Sequence, residues 1–223
     1  MHNHITLTKF HHAAFTLEVA GRKIAFDFGN LSTIDEAKEL GRADAVFVSH
    51  LHGDHLCAAN LGSAAAPIYV PEDAASRLQS DAIPSRAIAA GEAVDIDALE
   101  MRVTAVPADH GPFVKTPCVN FGFLVEHGRR RIYYTGDVGA FTPPPDGFDA
   151  LILPVGGARE QGFVFNPRLA ADYIKQIGYR GLLIPCHYHG MSDPRTAVEF
   201  AELVAGLADI RVLGVGESLV LES

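Results

Sequence analysis

Four potential metal ligands occur within six residues of one segment, His-Leu-His-Gly-Asp-His at positions 50–55. Imidazole nitrogens and carboxylate oxygens are the usual protein ligands of zinc and related divalent ions. His50 and His52 have the alternate spacing that puts side chains on one side of an extended chain. Asp54 and His55 follow a glycine, which permits a bend and lets them face a second ion. The segment therefore predicts a metal site, with residues to spare for a second one.

Further ligand types recur in the same local context, directly after a predicted strand. The 50–55 segment follows the apolar run 45–49, which is typical of a fully buried strand. Three later polar residues also follow apolar runs, and they are His110, Asp137 and His187. Loops at strand ends are where α/β proteins place their sites. We therefore expect these three side chains to complete one or two metal sites.

The elements that must position these residues are short strands and a few helices. Period-two alternation and turn signals predict strands at 5–8, 14–19 and 23–27, and again from 93 to 126. Two Asx-Pro pairs predict helix starts, one running from Asn166-Pro167 to about Ile177 and one from Asp193-Pro194 to about Leu207. The pattern predicts a layered α/β protein with two packed sheets and helices outside. Without a low-complexity linker, residues 1–223 are expected to form a single domain.

Composition excludes several classes of protein. The chain has 223 residues, 11 of them histidine, and a formal net charge of -9. The acidic balance and the lack of a basic patch disfavour a nucleic-acid partner. The apolar runs are too short for a membrane span, and no secretory signal is seen at the N-terminus. Three widely spaced cysteines do not form a disulfide framework, so a cytoplasmic location is expected.

The 50–55 motif, followed in order by His110, Asp137 and His187, resembles the metallo-β-lactamase superfamily of metal-dependent hydrolases. The resemblance covers essentially the whole chain. It implies a four-layer αββα sandwich with the metal site at the rim of the two sheets. It also implies two divalent ions per chain, zinc in the first place, with manganese and iron as alternatives. The implied ligands are His50, His52 and His110 for one ion, Asp54, His55 and His187 for the other, and Asp137 as the bridge.

A narrower resemblance is to small hydrolases similar to L-ascorbate-6-phosphate lactonase. It depends on the segments 10–15, 134–137, 153–157 and 185–188. In that group histidine and aspartate recur at the places of His12 and Asp27, which implies that they support the ligands or contact substrate. The segment 158–163 departs from that group, and Leu51 stands where threonine is frequent. The lactonase substrate is therefore not transferred to this chain.

The resemblance implies a hydrolytic mechanism in which a metal-bridging hydroxide attacks a carbonyl carbon or a phosphorus atom. Asp54 would be both a ligand and the group that orients the nucleophile. His189, two residues beyond His187, is a candidate proton donor to the leaving group, and a solvent-facing turn histidine is the alternative interpretation. The substrate is expected to be a small-molecule lactone, ester or phosphoester.

Three other functions stay open at this point. One is a nucleic-acid phosphodiesterase of the same superfamily, similar to tRNA-processing nucleases, although the acidic balance disfavours it. Another is a metal-binding protein or sensor without catalytic activity. The third is a redox di-iron role, for which the extra carboxylate ligand and flavin domain of such relatives are not visible.

Overall fold

The computed structural model describes residues 4–114, 116–157, 163–188 and 193–222. Strands in these ranges form two seven-stranded mixed sheets. The first sheet has the order β14 (Ser218–Leu221), β1 (Ile5–Lys9), β2 (Phe15–Val19), β3 (Arg22–Phe26), β4 (Ala45–Phe47), β5 (Ile68–Val70), β6 (Arg86–Ala87). The second has the order β13 (Asp209–Ile210), β12 (Leu182–Cys186), β11 (Ala150–Pro154), β10 (Arg130–Tyr134), β9 (Phe121–His127), β8 (Met101–Pro107), β7 (Ala93–Ile96). The α-helices are α1 (Ile34–Ala37), α2 (Ala58–Leu61), α3 (Glu72–Ser80), α4 (Pro167–Gln176) and α5 (Arg195–Leu203).

The predicted four-layer sandwich is confirmed by the way the apolar faces pack. The inner faces of the two sheets share one core, in which Phe26 and Phe47 of the first sheet contact Phe123 of the second. A second core packs the outer face of the second sheet against α4 and α5, with Phe200 fully buried. A third core packs the first sheet against α2 and α3. Because both faces of each sheet are covered, central strands such as β11 are buried at every position.

Strand direction explains why the predicted ligands meet. In the first sheet β1 and β3 are each antiparallel to β2, and β4 is parallel to β3, so these three strands end at one edge. In the second sheet β8 and β10 are each antiparallel to β9, and β12 continues the parallel set. Those three strands also share one edge. The two edges lie together at the rim of the sandwich. Side chains from the loops that follow them contact one another there, as described below.

The helix predictions are right in kind, and one of them is wrong in extent. Asn166 caps α4 by accepting from the Leu169 N–H (2.9 Å), and the helix ends at Gln176 as predicted. The second predicted helix is shorter than expected, beginning at Arg195 and ending at Leu203. The Asp193 carboxylate accepts from the Arg195 N–H (2.9 Å) and closes a tight turn, so the helix begins without a side-chain cap; main-chain carbonyls of Asp193 and Pro194 accept from the next two amides, those of Thr196 and Ala197. None of the helices in the described ranges is long and apolar enough to cross a lipid bilayer.

Candidate metal centre

The rim of the sandwich gathers nine predicted site residues from six strand ends. Their nitrogen and oxygen atoms form three overlapping groups, within each of which one atom per residue lies less than 4.8 Å from the others. We call His50, His52 and His110 the three-histidine group, and His12, Asp54, His55 and His187 the mixed group. The remaining group is His50, His55 and Asp137. Asp27 is the ninth residue and lies beneath His55, at hydrogen-bond distance.

Hydrogen bonds fix the protonation of two rings in the three-histidine group. The Nδ1–H of His110 donates to the Phe163 carbonyl (2.6 Å), and the Nε2–H of His52 donates to the Thr116 carbonyl (3.1 Å). Because a carbonyl only accepts, the opposite nitrogen of each neutral ring carries a lone pair. Those two lone-pair atoms, Nδ1 of His52 and Nε2 of His110, are 3.1 Å apart. Two lone pairs at that distance repel unless a proton or a cation is shared between them.

A buried chain of hydrogen bonds likewise fixes which ring nitrogen of His50 carries the proton. Its Nδ1 lies 2.9 Å from the Ser49 hydroxyl, which itself donates to the Asp27 carboxylate at 2.7 Å. The hydroxyl proton is thus used, so the serine oxygen accepts from His50 Nδ1–H. The Nε2 atom of His50 is left buried with no hydrogen-bond partner among the described residues. Burial and the neighbouring His55 lower the pKa of His50 well below the usual range, so the ring is neutral.

Asp27 is the anchor of the centre, and its side chain is fully buried. One carboxylate oxygen accepts from the Ser49 N–H (2.7 Å). The other accepts from His55 Nδ1–H (2.8 Å) and from the hydroxyl of Tyr134 (2.5 Å). Since Tyr134 belongs to β10 and Asp27 follows β3, this hydrogen bond joins the two sheets below the centre. The arrangement turns the Nε2 atom of His55 toward the cluster.

Asp137 lies between the two groups, with its side chain 4% exposed. Its Oδ1 atom is 3.2 Å from His55 Nε2, and its Oδ2 atom is 3.2 Å from His187 Nε2 and 3.5 Å from His110 Nε2. Asn120 holds the loop by donating to the Asp137 carbonyl (2.5 Å) and to the Ala108 carbonyl (3.2 Å). A carboxylate with one histidine of the three-histidine group and two of the mixed group around it has the position expected of a bridge.

The mixed group is built on unusual backbone. His12 and His187 have φ values of 57° and 61°, in the left-handed region that few residues other than glycine adopt. The His187 N–H donates to the His12 carbonyl (3.0 Å), and the two ring centroids are 3.7 Å apart. Nε2 of His12 lies 3.0 Å from Asp54, and it donates because a carboxylate only accepts. Burial lowers the pKa of His12 to about 4, so this histidine is neutral.

The pKa values of histidines are lowered in the three-histidine group, at His50 and His110, and raised at His55 and His187 of the mixed group. Burial opposes a charge on His187, but the carboxylates of Asp137 and Asp54 together outweigh it and raise the pKa of His187 to about 9. Burial is likewise outweighed at His55, where Asp137 and Asp27 raise the pKa well above its usual value. In the absence of an ion, both rings therefore carry protons that screen the carboxylates. A divalent cation would do the same, so this donor set fits a metal ion.

The glycine in the ligand segment does not have the role that the sequence suggested. Gly53 has no left-handed φ, and a Cβ atom there would lie 3.1 Å from the Asn30 side chain. The sterically required glycine is Gly29, where a Cβ atom would lie 1.9 Å from the Asp54 carbonyl oxygen. The ligand segment bends by packing its backbone against the 27–30 loop, and the glycine that permits this lies in the other segment.

Sequence reasoning missed three residues that support the centre, Ser49, Asn120 and Tyr134. The signal for Ser49 and Tyr134 was present, because each is a polar residue at the end of a buried strand, next to a predicted ligand segment. Asn120 gave no such signal. His189 lies outside the described residues, so its predicted role as a proton donor stays a prediction.

A family model described as "Beta-lactamase superfamily domain" matches residues 27–188. A protein of Pelotomaculum thermopropionicum named "UPF0173 metal-dependent hydrolase" is 29% identical, over 94% of this chain and 97% of its own length. A protein of Aeropyrum pernix with the same name is also 29% identical, over 95% of this chain and 96% of its own length.

Two solved structures show the same fold. Igni18, a metallo hydrolase from Ignicoccus hospitalis, has a TM-score of 0.74 at 24% identity, covering 99% of both chains. An isothiocyanate hydrolase from Delia radicum gut bacteria has a TM-score of 0.76 at 15% identity, covering 97% of this chain and 99% of its own. At these identities the likeness concerns the fold alone.

Proposed function

The chain belongs to the metallo-β-lactamase superfamily of metal-dependent hydrolases, and on that premise we propose that it is a dinuclear enzyme that cleaves a small-molecule lactone, ester or phosphoester. The proposal depends chiefly on one observation. In the three-histidine group, His52 and His110 each commit one N–H to a main-chain carbonyl and direct the other nitrogen inward, 3.1 Å apart. A cation between them removes the repulsion of the two lone pairs, and no change of rotamer is needed.

The mixed group supports a second ion. Its Asp54, His55 and His187 offer one carboxylate and two imidazoles. Nε2 of His55 and both ring nitrogens of His187 are buried and make no aligned hydrogen bond among the described residues, and both Nε2 atoms lie 3.2 Å from the Asp137 carboxylate. Buried polar atoms are nearly always satisfied, so these atoms favour a ligand that the protein holds in use. We assign one ion to each group and the bridge to Asp137. Zinc is the first candidate, and histidine with aspartate also suits manganese or iron.

When bound, two divalent ions would supply a hydroxide nucleophile near neutral pH and Lewis acidity toward the substrate oxygen. Asp54 is the more exposed of the two central carboxylates, at 23%, so it is the acid that can orient a nucleophile on the solvent side. His12 holds that carboxylate in place by its hydrogen bond. Asp27 is fully buried, and for that reason we assign it the support of His55 instead of substrate contact.

The narrower expectations extend the same proposal. The chain acts as a single domain in the cytoplasm on a small molecule, and the net charge of -9 favours such a substrate over a nucleic acid. Relationship to the L-ascorbate-6-phosphate lactonase branch and proton donation by His189 remain predictions.

Metal analysis of protein purified without added metal tests the proposal. We expect two divalent ions per chain, and we expect Asp137→Asn to lose at least one of them together with hydrolytic activity. His127→Gln is the matched control, because His127 is also a buried histidine but lies at the far end of β9 and contacts the Glu100 carbonyl.

A panel of lactones, carboxylic esters, phosphoesters and short RNA would then identify the substrate class. Cleavage of RNA with no turnover of the small molecules would contradict the proposed substrate. One ion per chain, unaffected by Asp137→Asn, would contradict the dinuclear centre. Two ions without any hydrolysis across a wide panel would favour a metal-binding protein.

A further inference from the structure

Lys9 is a buried lysine next to the mixed group. It ends β1 and is only 2% exposed, so its whole side chain is enclosed by protein. Its Nζ atom lies 2.7 Å from the Phe10 carbonyl oxygen and 3.5 Å from the His12 carbonyl oxygen. It also lies 4.5 Å from the centroid of the Tyr188 ring, within the range of a cation–π contact. Burying an ammonium group is costly, so a lysine here is expected to do something that an apolar residue cannot.

The partners of this ammonium group are the two turns that carry His12 and His187 of the mixed group. The His12 carbonyl that faces Nζ also accepts the His187 N–H (3.0 Å), and Tyr188 pairs with His12 in an isolated β-bridge. Lys9 therefore contacts one turn at a carbonyl and the other at the ring of Tyr188, the neighbour of His187. Both turns have a histidine in the left-handed region, which is a strained conformation for a residue with a Cβ atom.

The opposite side of the His12 turn is held by a negative group. The Glu36 carboxylate accepts from the backbone N–H of His11 (3.1 Å) and lies 2.8 Å from its Nδ1 atom. The turn is thus fixed between an anion that binds its N–H and a cation that binds its carbonyls. Burial lowers the pKa of Lys9 to about 8, which leaves the side chain largely charged at neutral pH.

We propose that Lys9 is a positioning residue that sets the geometry of the mixed group through the carbonyl oxygens of Phe10 and His12 and the ring of Tyr188. Without the ammonium group, the Phe10 and His12 carbonyls lose its hydrogen bonds, only the His187 N–H still binds the His12 carbonyl, and the His12 turn is free to leave the left-handed region. His187 would then lose the acceptor of its N–H, and His12 its alignment with Asp54. This inference rests on the proposed dinuclear function.

The consequence is selective, because the three-histidine group does not depend on these turns. Its rings are held by Ser49 and by the carbonyls of Thr116 and Phe163. Loss of Lys9 should therefore weaken one ion and leave the other as it was. A change that merely lowered overall stability would weaken both.

The test is a zinc titration of metal-free protein in competition with a chromophoric chelator, repeated with cobalt to record the visible spectrum of each loaded site. Lys9→Met keeps the aliphatic stem and removes the donor and the charge. We expect it to weaken one of the two ions about 10–100-fold, the range found when groups that support a ligand are removed, and to change the cobalt spectrum of that site only. Lys9→Arg, which keeps charge and donors, should restore part of the affinity.

Lys23→Met is the matched control, since Lys23 lies in the same sheet and pairs with Glu18 and Glu39 away from the centre. It should lower the unfolding midpoint without altering either ion. If Lys9→Met does not fold, as judged by circular dichroism, Lys9→Gln provides the same comparison with a neutral, shorter donor.

Three outcomes would overturn the inference. A folded Lys9→Met or Lys9→Gln protein that binds both ions as tightly as wild type would overturn it alone. So would an equal loss of affinity in Lys23→Met. A wild-type protein that takes up a single ion would overturn the dinuclear proposal and this inference with it. The ion count of the wild-type protein therefore distinguishes failure of the dinuclear proposal from failure of the role of Lys9.

Discussion

The two halves of the sandwich contribute to the centre in different ways. The first sheet supplies four candidate ligands, three histidines and one aspartate, from one continuous segment, 50–55, after β4. The second sheet supplies one residue from each of three separate strand ends, namely His110, Asp137 and His187. Yet the strands in both sheets change from antiparallel to parallel pairing midway across, at β3 and at β10. Similar sheets therefore carry their candidate ligands differently: the first mainly in one contiguous sequence motif, the second in residues that are far apart in the sequence.

The ligands also differ in the groups that hold them. His50 and His55 are fixed by buried side chains of Ser49 and Asp27, within the packed interior. His110 is fixed by the carbonyl of Phe163, a residue whose side chain is half exposed. The position of a buried side chain is fixed by packing on all sides, whereas a carbonyl in a loop moves with the backbone of that loop. We therefore expect His50 and His55 to be the rigid part of the centre, and His52 and His110, which loop carbonyls hold, to be the adjustable part.

The largest expected effect comes from removing the anchor of the first half. Asp27→Ala should lower the free energy of unfolding by about 3–5 kcal/mol, because it leaves His55, Ser49 and Tyr134 with unpaired buried donors. Metal affinity should fall by about 10–100-fold. Urea unfolding and metal analysis measure both quantities. Tyr134→Phe removes one donor and serves as the graded control. Similar losses in the two variants would mean that Asp27 is not the anchor.

The two groups should also differ in the pH at which they release an ion. Without ions, His187 has a pKa raised to about 9, so its pairing with Asp137 stabilises the fold fully below the unfolded value of about 6.5 and loses that effect as the pH rises through about 9. His50 and His110, whose pKa values are lowered, bind an ion without releasing a proton.

We therefore expect acidification to release the ion of the mixed group before the ion of the three-histidine group. Metal content after dialysis at a series of pH values measures the order. Titration of metal-free protein in weakly buffered solution should show the larger proton release for the ion of the mixed group. Simultaneous loss of both ions would remove this difference between the groups.

The smallest effect concerns the two glycines near the ligand segment. Gly29→Ala should destabilise the protein by about 1–3 kcal/mol, since its Cβ atom would overlap the Asp54 carbonyl and push the ligand backbone away. Gly53→Ala meets only the flexible end of Asn30 and should be nearly neutral. Thermal unfolding of the two variants makes the comparison. Equal destabilisation would mean that the bend in the 50–55 segment itself requires glycine.

Much of the fold was predictable from local pattern. The strands of the first hairpin, the buried β4 and the cap of α4 follow from alternation, apolar runs and an Asn-Pro pair. The start of α5 was less predictable, because Asp193 is a residue type that caps helices, but its carboxylate accepts from the Arg195 N–H and does not cap the helix. The short helix α2 carries no cap signal in the sequence, and its existence depends on packing under the ligand loop.

The sequence by itself determined the chemistry of the centre. Residue types and their positions after apolar runs were enough to identify His50, His52, Asp54 and His55 as candidates, because a contiguous motif needs no knowledge of the fold. Only the tertiary structure decided which nitrogen of each ring faces inward and what lies behind it. Tautomers follow from acceptors such as the carbonyl of Phe163 and the carboxylate of Asp27, which are far away in the sequence. It is the packing of the two sheets that brings these acceptors within hydrogen-bond distance of the rings.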